Sequence, residues 1–278
     1  MPFTNIGRGR RAIHQHHEYT GKTKLIDLIG KRVLVTGGSR GIGRACALKL
    51  AAFGADVAIN FLSSADEAAD VVRAIHALGR RSFAVRADVA QRDDVVAMIQ
   101  AVEERFEGLD IVISNVAAGG FRPANDLTPA AFESTIRTNA AAVIWIAQAA
   151  VESLAKSQHQ GKLIAVSSHG SMWAVPNYAA IGASKAALES LVRHMALEYG
   201  PRGINFNCVL PGIVATDAVA SMPDVNSIIK AAQSRMMLGC RSLEAGDVAD
   251  VVAFLASPLS DLIQGQTLIV DGGVSIRV

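Results

Sequence analysis

Three glycines, Gly37, Gly41 and Gly43, fall within Thr36-Gly37-Gly38-Ser39-Arg40-Gly41-Ile42-Gly43, between a short apolar run and an amphipathic one. Glycine permits a tight turn and lets a ligand approach the main chain, leaving the N–H groups at a helix start to hold a pyrophosphate. A glycine cluster alone marks only a sharp bend. Its place between a first strand and a first helix makes it a dinucleotide-binding signal. Further along, Tyr178 and Lys185 stand seven residues apart in a stretch of helical spacing. Seven residues are close to two α-helical turns, so phenol and ammonium share a face with about 10 Å of rise between them. Ile181, four residues before the lysine, has no proton to donate.

Residues so far apart in the chain need a frame that gathers loops at one edge. From Lys31 onward, short β-branched runs alternate with longer amphipathic ones, the rhythm of βαβ units on a parallel sheet. The runs predict strands over 32–36, 56–60, 82–85, 110–114, 162–167, 204–209 and 267–270, and helices over 41–53, 64–78, 91–106, 129–155, 178–199 and 244–256. Most strands are nearly continuous in Val, Ile and Leu, as in strands covered on both faces. The expected fold is α/β: a single Rossmann-type, doubly wound domain over 30–278, with a seven-stranded parallel sheet and helices on both faces. Thr128-Pro129 is a helix start, a capping hydroxyl followed by a proline whose missing N–H costs nothing. The stretch 211–241 is longer than an ordinary βα loop and is the candidate substrate lid.

Composition narrows the function. Half of the 278 residues are hydrophobic, enough for a large core. The 27 Lys and Arg residues are scattered and the net charge is only +2, which argues against nucleic-acid binding. Cys46, Cys208 and Cys240 are far apart and have no Cys-x-x-Cys pairing, so neither a disulfide framework nor a zinc site is expected. Residues 1 to about 29 are basic with little apolar periodicity, which reads as a flexible or loosely docked extension. Its His14, His16 and His17 have no companion ligands at metal-binding spacing, so no metal site is expected. There is no secretory signal and no run of ~18 apolar residues, so the expectation is a cytoplasmic protein without a membrane partner.

The glycine spacing resembles that of the short-chain dehydrogenase/reductase family, and further matches follow in order over residues 30–278. Asp88-Val89 is similar to the family's adenine-contacting pair. Asn115, within Ser114-Asn115-Val116-Ala117-Ala118-Gly119, resembles its Asn-Asn-Ala-Gly segment, with Ser114 in place of the first Asn. Asn139 stands where the family keeps a helix asparagine that orders a water chain. Pro211-Gly212-Ile213-Val214-Ala215-Thr216 resembles the segment that closes over nicotinamide and diphosphate. The resemblance implies cofactor contacts at Gly37, Ser39, Arg40, Gly41, Ile42, Gly43, Asn60, Asp88, Val89, Asn115, Lys185, Pro211, Gly212, Ile213 and Thr216. It implies catalytic roles for Tyr178, Lys185, Ser168 and Asn139, with Lys185 bonding the nicotinamide ribose and lowering the pKa of Tyr178. Purely structural duties stay open for three of these: Asn115 as a turn residue, Asn139 as a mid-helix polar group, Ser168 as a cap.

Charge decides the expected cofactor. An NAD site places an acid at the end of the second strand, whereas this strand ends Ala58-Ile59-Asn60-Phe61 and Arg40 is free to pair with a 2′-phosphate. NADPH is therefore expected, the alternative being Arg40 as a solvated loop cation. The family's usual tyrosine lies four residues before lysine; the seven-residue spacing here resembles the enoyl-acyl carrier protein reductases, most of all the NADPH-using type III. Ser167-Ser168-His169-Gly170-Ser171 and the ending Ile263-Gln264-Gly265-Gln266-Thr267-Leu268-Ile269-Val270-Asp271-Gly272-Gly273 carry the same likeness. In enoyl reduction the hydride lands on C3 and charge appears on a thioester oxygen further along, so the stabilising group must sit further from the nicotinamide. The resemblance thus implies reduction of a trans-2-enoyl thioester on acyl carrier protein or coenzyme A, in fatty-acid or related biosynthesis, by a homotetramer. A ketoreductase and a noncatalytic NADPH-binding protein are the alternatives.

Overall fold

Seven runs rich in Val, Ile and Leu become seven parallel strands in the computed structural model, which describes residues 26–220, 222, 225–239 and 241–277. They are β1 (Arg32–Val35), β2 (Asp56–Phe61), β3 (Ser82–Arg86), β4 (Ile111–Ser114), β5 (Gly161–Val166), β6 (Ile204–Pro211) and β7 (Thr267–Val270). Their order across the sheet is β3-β2-β1-β4-β5-β6-β7. Every strand falls within one or two residues of its expected place. Side chains alternate across the sheet as a two-residue period requires. Val33, Val35, Ile111, Ile113, Ile164 and Val166 enter one core with α1 (Gly41–Ala52), α2 (Ala65–Ala77) and α9 (Ala245–Ala256). Leu34, Val112, Leu163 and Ala165 enter the other, with α3 (Arg92–Phe106), α5 (Ala142–Leu154) and α6 (Ala179–Tyr199).

Three expectations need correction. The helix expected over 129–155 is divided into α4 (Pro129–Ile136), a π-helical segment (Arg137–Ala141) and α5, and Asn139 lies in the π segment. The supposedly irregular stretch 211–241 contains α7 (Asp217–Ala220) and α8 (Val225–Arg235), and an isolated parallel bridge pairs Val214 with Leu243. Finally, the packed domain begins before residue 30. Leu28 is fully buried in the core beside α1, and its N–H donates to the Phe53 carbonyl at 2.9 Å. Residues 1–25, with His14, His16 and His17, lie outside the described residues, as does Cys240. Cys46 and Cys208 are buried free thiols.

Candidate active site

Strand order reverses between β1 and β4, and in such sheets ligands sit beyond the carboxyl ends of the strands at that switch. A cavity of about 1060 Å³ opens there. The glycine loop shapes its near end: Gly37 and Gly41 have φ of 61° and 56°, and a Cβ on Gly43 would come 2.1 Å from the Gly37 carbonyl oxygen. Helix α1 follows with no side-chain cap and no acid in its first turn, so its leading N–H groups remain available to an anion. By contrast, Thr128 caps α4 by accepting from the Ala131 N–H. Two asparagines hold the loop. Asn115 Nδ2 donates to the carbonyls of Thr36 and Gly37 at 3.1 and 3.2 Å, while Asn60 Oδ1 accepts from the Gly37 N–H at 3.3 Å and Asn60 Nδ2 donates to the Ala87 carbonyl at 3.0 Å. Asn60 therefore touches the cavity as a buried pin of the loop. Arg40 reaches into solvent at the same end, 3.9 Å from the exposed carboxylate of Asp217.

The far end is built where β5 meets α6, by three consecutive residues. The Val166 carbonyl accepts from Lys185 Nζ at 2.7 Å, Ser167 Oγ donates to Glu189 Oε1, and Ser168 Oγ lies 3.1 Å from the Tyr178 hydroxyl. Lys185 is buried, and burial pushes its ammonium pKa down to about 8, with the nearby Cys208 and Glu189 acting to raise it. Tyr178 differs from expectation. It sits at the N-cap position, just outside α6, because Pro176 precedes it and Asn177 adopts the left-handed region with φ of 61°. Its ring stacks on Phe121 at 5.8 Å and lies against Gly170, where a Cβ would come 2.3 Å from Tyr178 Cε1. Burial raises the Tyr178 pKa, and the bond to Ser168 only partly offsets this. Lys185, whose ammonium donates to the Val166 carbonyl, makes no contribution to this shift.

Of the residues singled out in the sequence, Gly37, Ser39, Arg40, Gly41, Ile42, Asn60, Asp88, Val89, Asn115, Ser168, Tyr178, Lys185, Pro211, Gly212 and Thr216 all line this one cavity. Gly43, Ile213 and Asn139 are not among its lining residues. Asn139 stands behind the wall: its Oδ1 accepts from the Ala118 N–H at 2.8 Å, and its Nδ2 donates to the Ala118 carbonyl and to Ser184 Oγ, each at 2.9 Å. The cavity also takes in Leu62, Ser63, Ser64, Arg137 and Asp217, which the sequence reading passed over. The small hydroxyl pair Ser63-Ser64, one residue beyond the end of β2 and in place of an acid, was the available signal for the first group; Arg137 and Asp217 carry no local signature. Among the described residues there is no cluster of three or more potential metal ligands, and no helix is long and apolar enough to cross a membrane.

A family model described as enoyl-(acyl carrier protein) reductase matches residues 37–275. The chain belongs to that family. It is an NAD(P)-dependent oxidoreductase of the short-chain dehydrogenase/reductase class. It is 39% identical over 267 residues to 1-cyclohexenylcarbonyl-CoA reductase of Streptomyces collinus, covering 94% of this chain and 90% of that protein. A hydroxynaphthalene reductase of Aspergillus fumigatus is 35% identical, covering 87% of this chain and 91% of that one. Among solved structures, a short-chain dehydrogenase from Burkholderia cenocepacia in complex with NADP is similar with a TM-score of 0.81 and 41% identity, covering 89% of this chain and 99% of that chain.

Proposed function

We propose that this enzyme uses NADPH to reduce the carbon–carbon double bond of a trans-2-enoyl thioester carried on coenzyme A or acyl carrier protein, as a cytoplasmic homotetramer in fatty-acid or related biosynthesis. The observation that carries the reading is the identity of the group at the far end of the cavity. Tyr178 shares the cavity with Lys185 although seven residues separate them, while Ile181, in the family's usual tyrosine place, packs against Gly119. A hydroxyl so placed suits an oxygen remote from the carbon that receives hydride. The Streptomyces relative, named for an enoyl-type CoA thioester, supports the same substrate class. Buried free thiols suit a reducing compartment.

The residues fit the cofactor: the uncapped start of α1 and its glycines accept a pyrophosphate, and Arg40 stands ready for a 2′-phosphate. Bound NADPH supplies the hydride. The chain's own part is to hold and stabilise. With its pKa raised by burial, Tyr178 stays protonated near neutral pH and donates a hydrogen bond to the thioester oxygen as negative charge gathers there. Ser168 orients that hydroxyl, and Lys185, which also lines the cavity, would hold the nicotinamide ribose. The hydroxynaphthalene reductase relative favours a second reading, ketone reduction by the same tyrosine. Purified protein with NADPH, offered a crotonyl thioester and an acetoacetyl thioester separately, decides between them. Loss of NADPH absorbance with the first alone is the expected result, and loss with the second alone rejects enoyl reduction.

A further inference from the structure

Glu189 is a buried carboxylate that the chemistry above leaves unused. It lies four residues after Lys185 on α6, so the two side chains are neighbours on one helix face. Its Oε1 accepts from Ser167, the residue between the Lys185 anchor at Val166 and the Tyr178 partner Ser168. The other ionisable group acting on Lys185 is Cys208 on β6, which Arg193 on α6 acts on in turn. The Cys208 thiol is pushed up to about 12, chiefly by burial, and so carries no negative charge at neutral pH. The Tyr178 phenol is likewise held protonated by burial. The one hydrogen-bond acceptor of Lys185 among the described residues is a neutral carbonyl. A buried ammonium without a counter-charge sheds its proton.

We propose that Glu189 is a positioning residue of the active site: held by Ser167, it supplies the buried negative charge that keeps Lys185 an ammonium facing the cofactor cavity. The proposal rests on the reading of the cavity as a nicotinamide-cofactor site. Burial already takes the lysine pKa down to about 8 with the carboxylate in place. Removing the carboxylate charge lowers it further. Cofactor binding that needs the ammonium is present below the lysine pKa and is lost as pH rises through it, so the variant loses binding at lower pH than the wild type.

The test is a fluorescence titration of the full chain with NADPH from about pH 6 to about pH 10, for wild type, Glu189→Gln and Glu189→Asp. The glutamine keeps the acceptor for Ser167 and removes only the charge. It is expected to move the alkaline loss of binding about one unit toward acid, with affinity about tenfold weaker in the interval. The aspartate restores the charge and is expected to return the limb most of the way. A merely structural role would weaken binding equally at every pH and leave the limb in place. Should Glu189→Gln fail to fold, Ser167→Ala, which frees the carboxylate from its anchor, is expected to shift the limb in the same direction by less. Wild type that binds NADPH with a limb unmoved by these substitutions overturns the role of Glu189 alone. Wild type that binds no nicotinamide cofactor overturns the site reading, and the proposal with it.

Discussion

A tyrosine that must donate a hydrogen bond works best when it keeps its proton, and burial beside Phe121 and Gly170 does that for Tyr178. On the proposed mechanism, Tyr178→Phe removes the donor to the developing oxyanion while keeping the aromatic ring. Turnover is expected to fall by about 10²-fold or more, with NADPH affinity nearly unchanged, as measured by steady-state rates beside a fluorescence titration. Near-full activity in that variant would remove Tyr178 from the reaction. Arg40 poses a different question, since its present partner is Asp217 at 3.9 Å and both groups are exposed. Such a pair is worth little, so a 2′-phosphate readily takes its place. Arg40→Ala is expected to weaken NADPH binding by about tenfold or more while sparing NADH. Equal affinities of the wild type for the two cofactors would refute the preference. These side chains were legible in the sequence because type and order mark them. Glu189 was not, because its value depends on Ser167, which meets it only once β5 lies against α6.

At the scale of elements, strands were readable because a buried parallel strand is a short continuous run of apolar residues, and β7 between its flanking glycines is found at its expected bounds. Features without a sequence period were not readable. The π segment around Asn139 depends on where the chain must bulge to bring that amide onto Ala118 and Ser184. The placement of Tyr178 ahead of α6 was partly visible, since Pro176 and Asn177 both disfavour helix, yet the apolar spacing masked it. The joint between β1 and β4, which fixes the switch point, depends on Asp110. Its carboxylate accepts from the Arg32 N–H, from Arg32 Nε and Nη2, and from Ser157 Oγ, at 2.7 to 3.0 Å. Burial acts to raise its pKa, but these donors outweigh burial and the net shift is downward. A carboxylate with a depressed folded pKa contributes stability above its unfolded value of ~3.9, and that contribution is lost as pH falls through the folded pKa. Asp110→Asn is expected to cost about 2–3 kcal/mol at neutral pH and to flatten stability against pH below ~4, checked by urea unfolding at several pH values. An unchanged acid limb in the variant would assign that limb to other carboxylates.

For the whole molecule, two cores on either side of one sheet satisfy the inward faces of the helices but leave apolar surface outside. The outer face of α6 carries the exposed small residues Ala179, Ala183 and Ala186, followed by Leu197, which is 77% exposed. Small side chains at four- and three-residue spacing let a second helix approach closely, and an exposed leucine at the far end gains by being covered. Elsewhere in the chain, Leu262 is 98% exposed and Ile276 is 75% exposed. Exposed apolar positions on more than one element suit an assembly with more than one two-fold axis, which is how four identical chains close on themselves. Light scattering at micromolar concentration is therefore expected to give a particle about four times the 29.2 kDa of one chain. Ala183→Arg places a long cation on the α6 surface and is expected to lower the particle mass. Leu262→Arg tests that position in the same way, and mass reduced to half by either substitution would place that residue in an interface. A wild-type particle of one chain's mass would reject the tetramer and leave each of these apolar positions simply solvated.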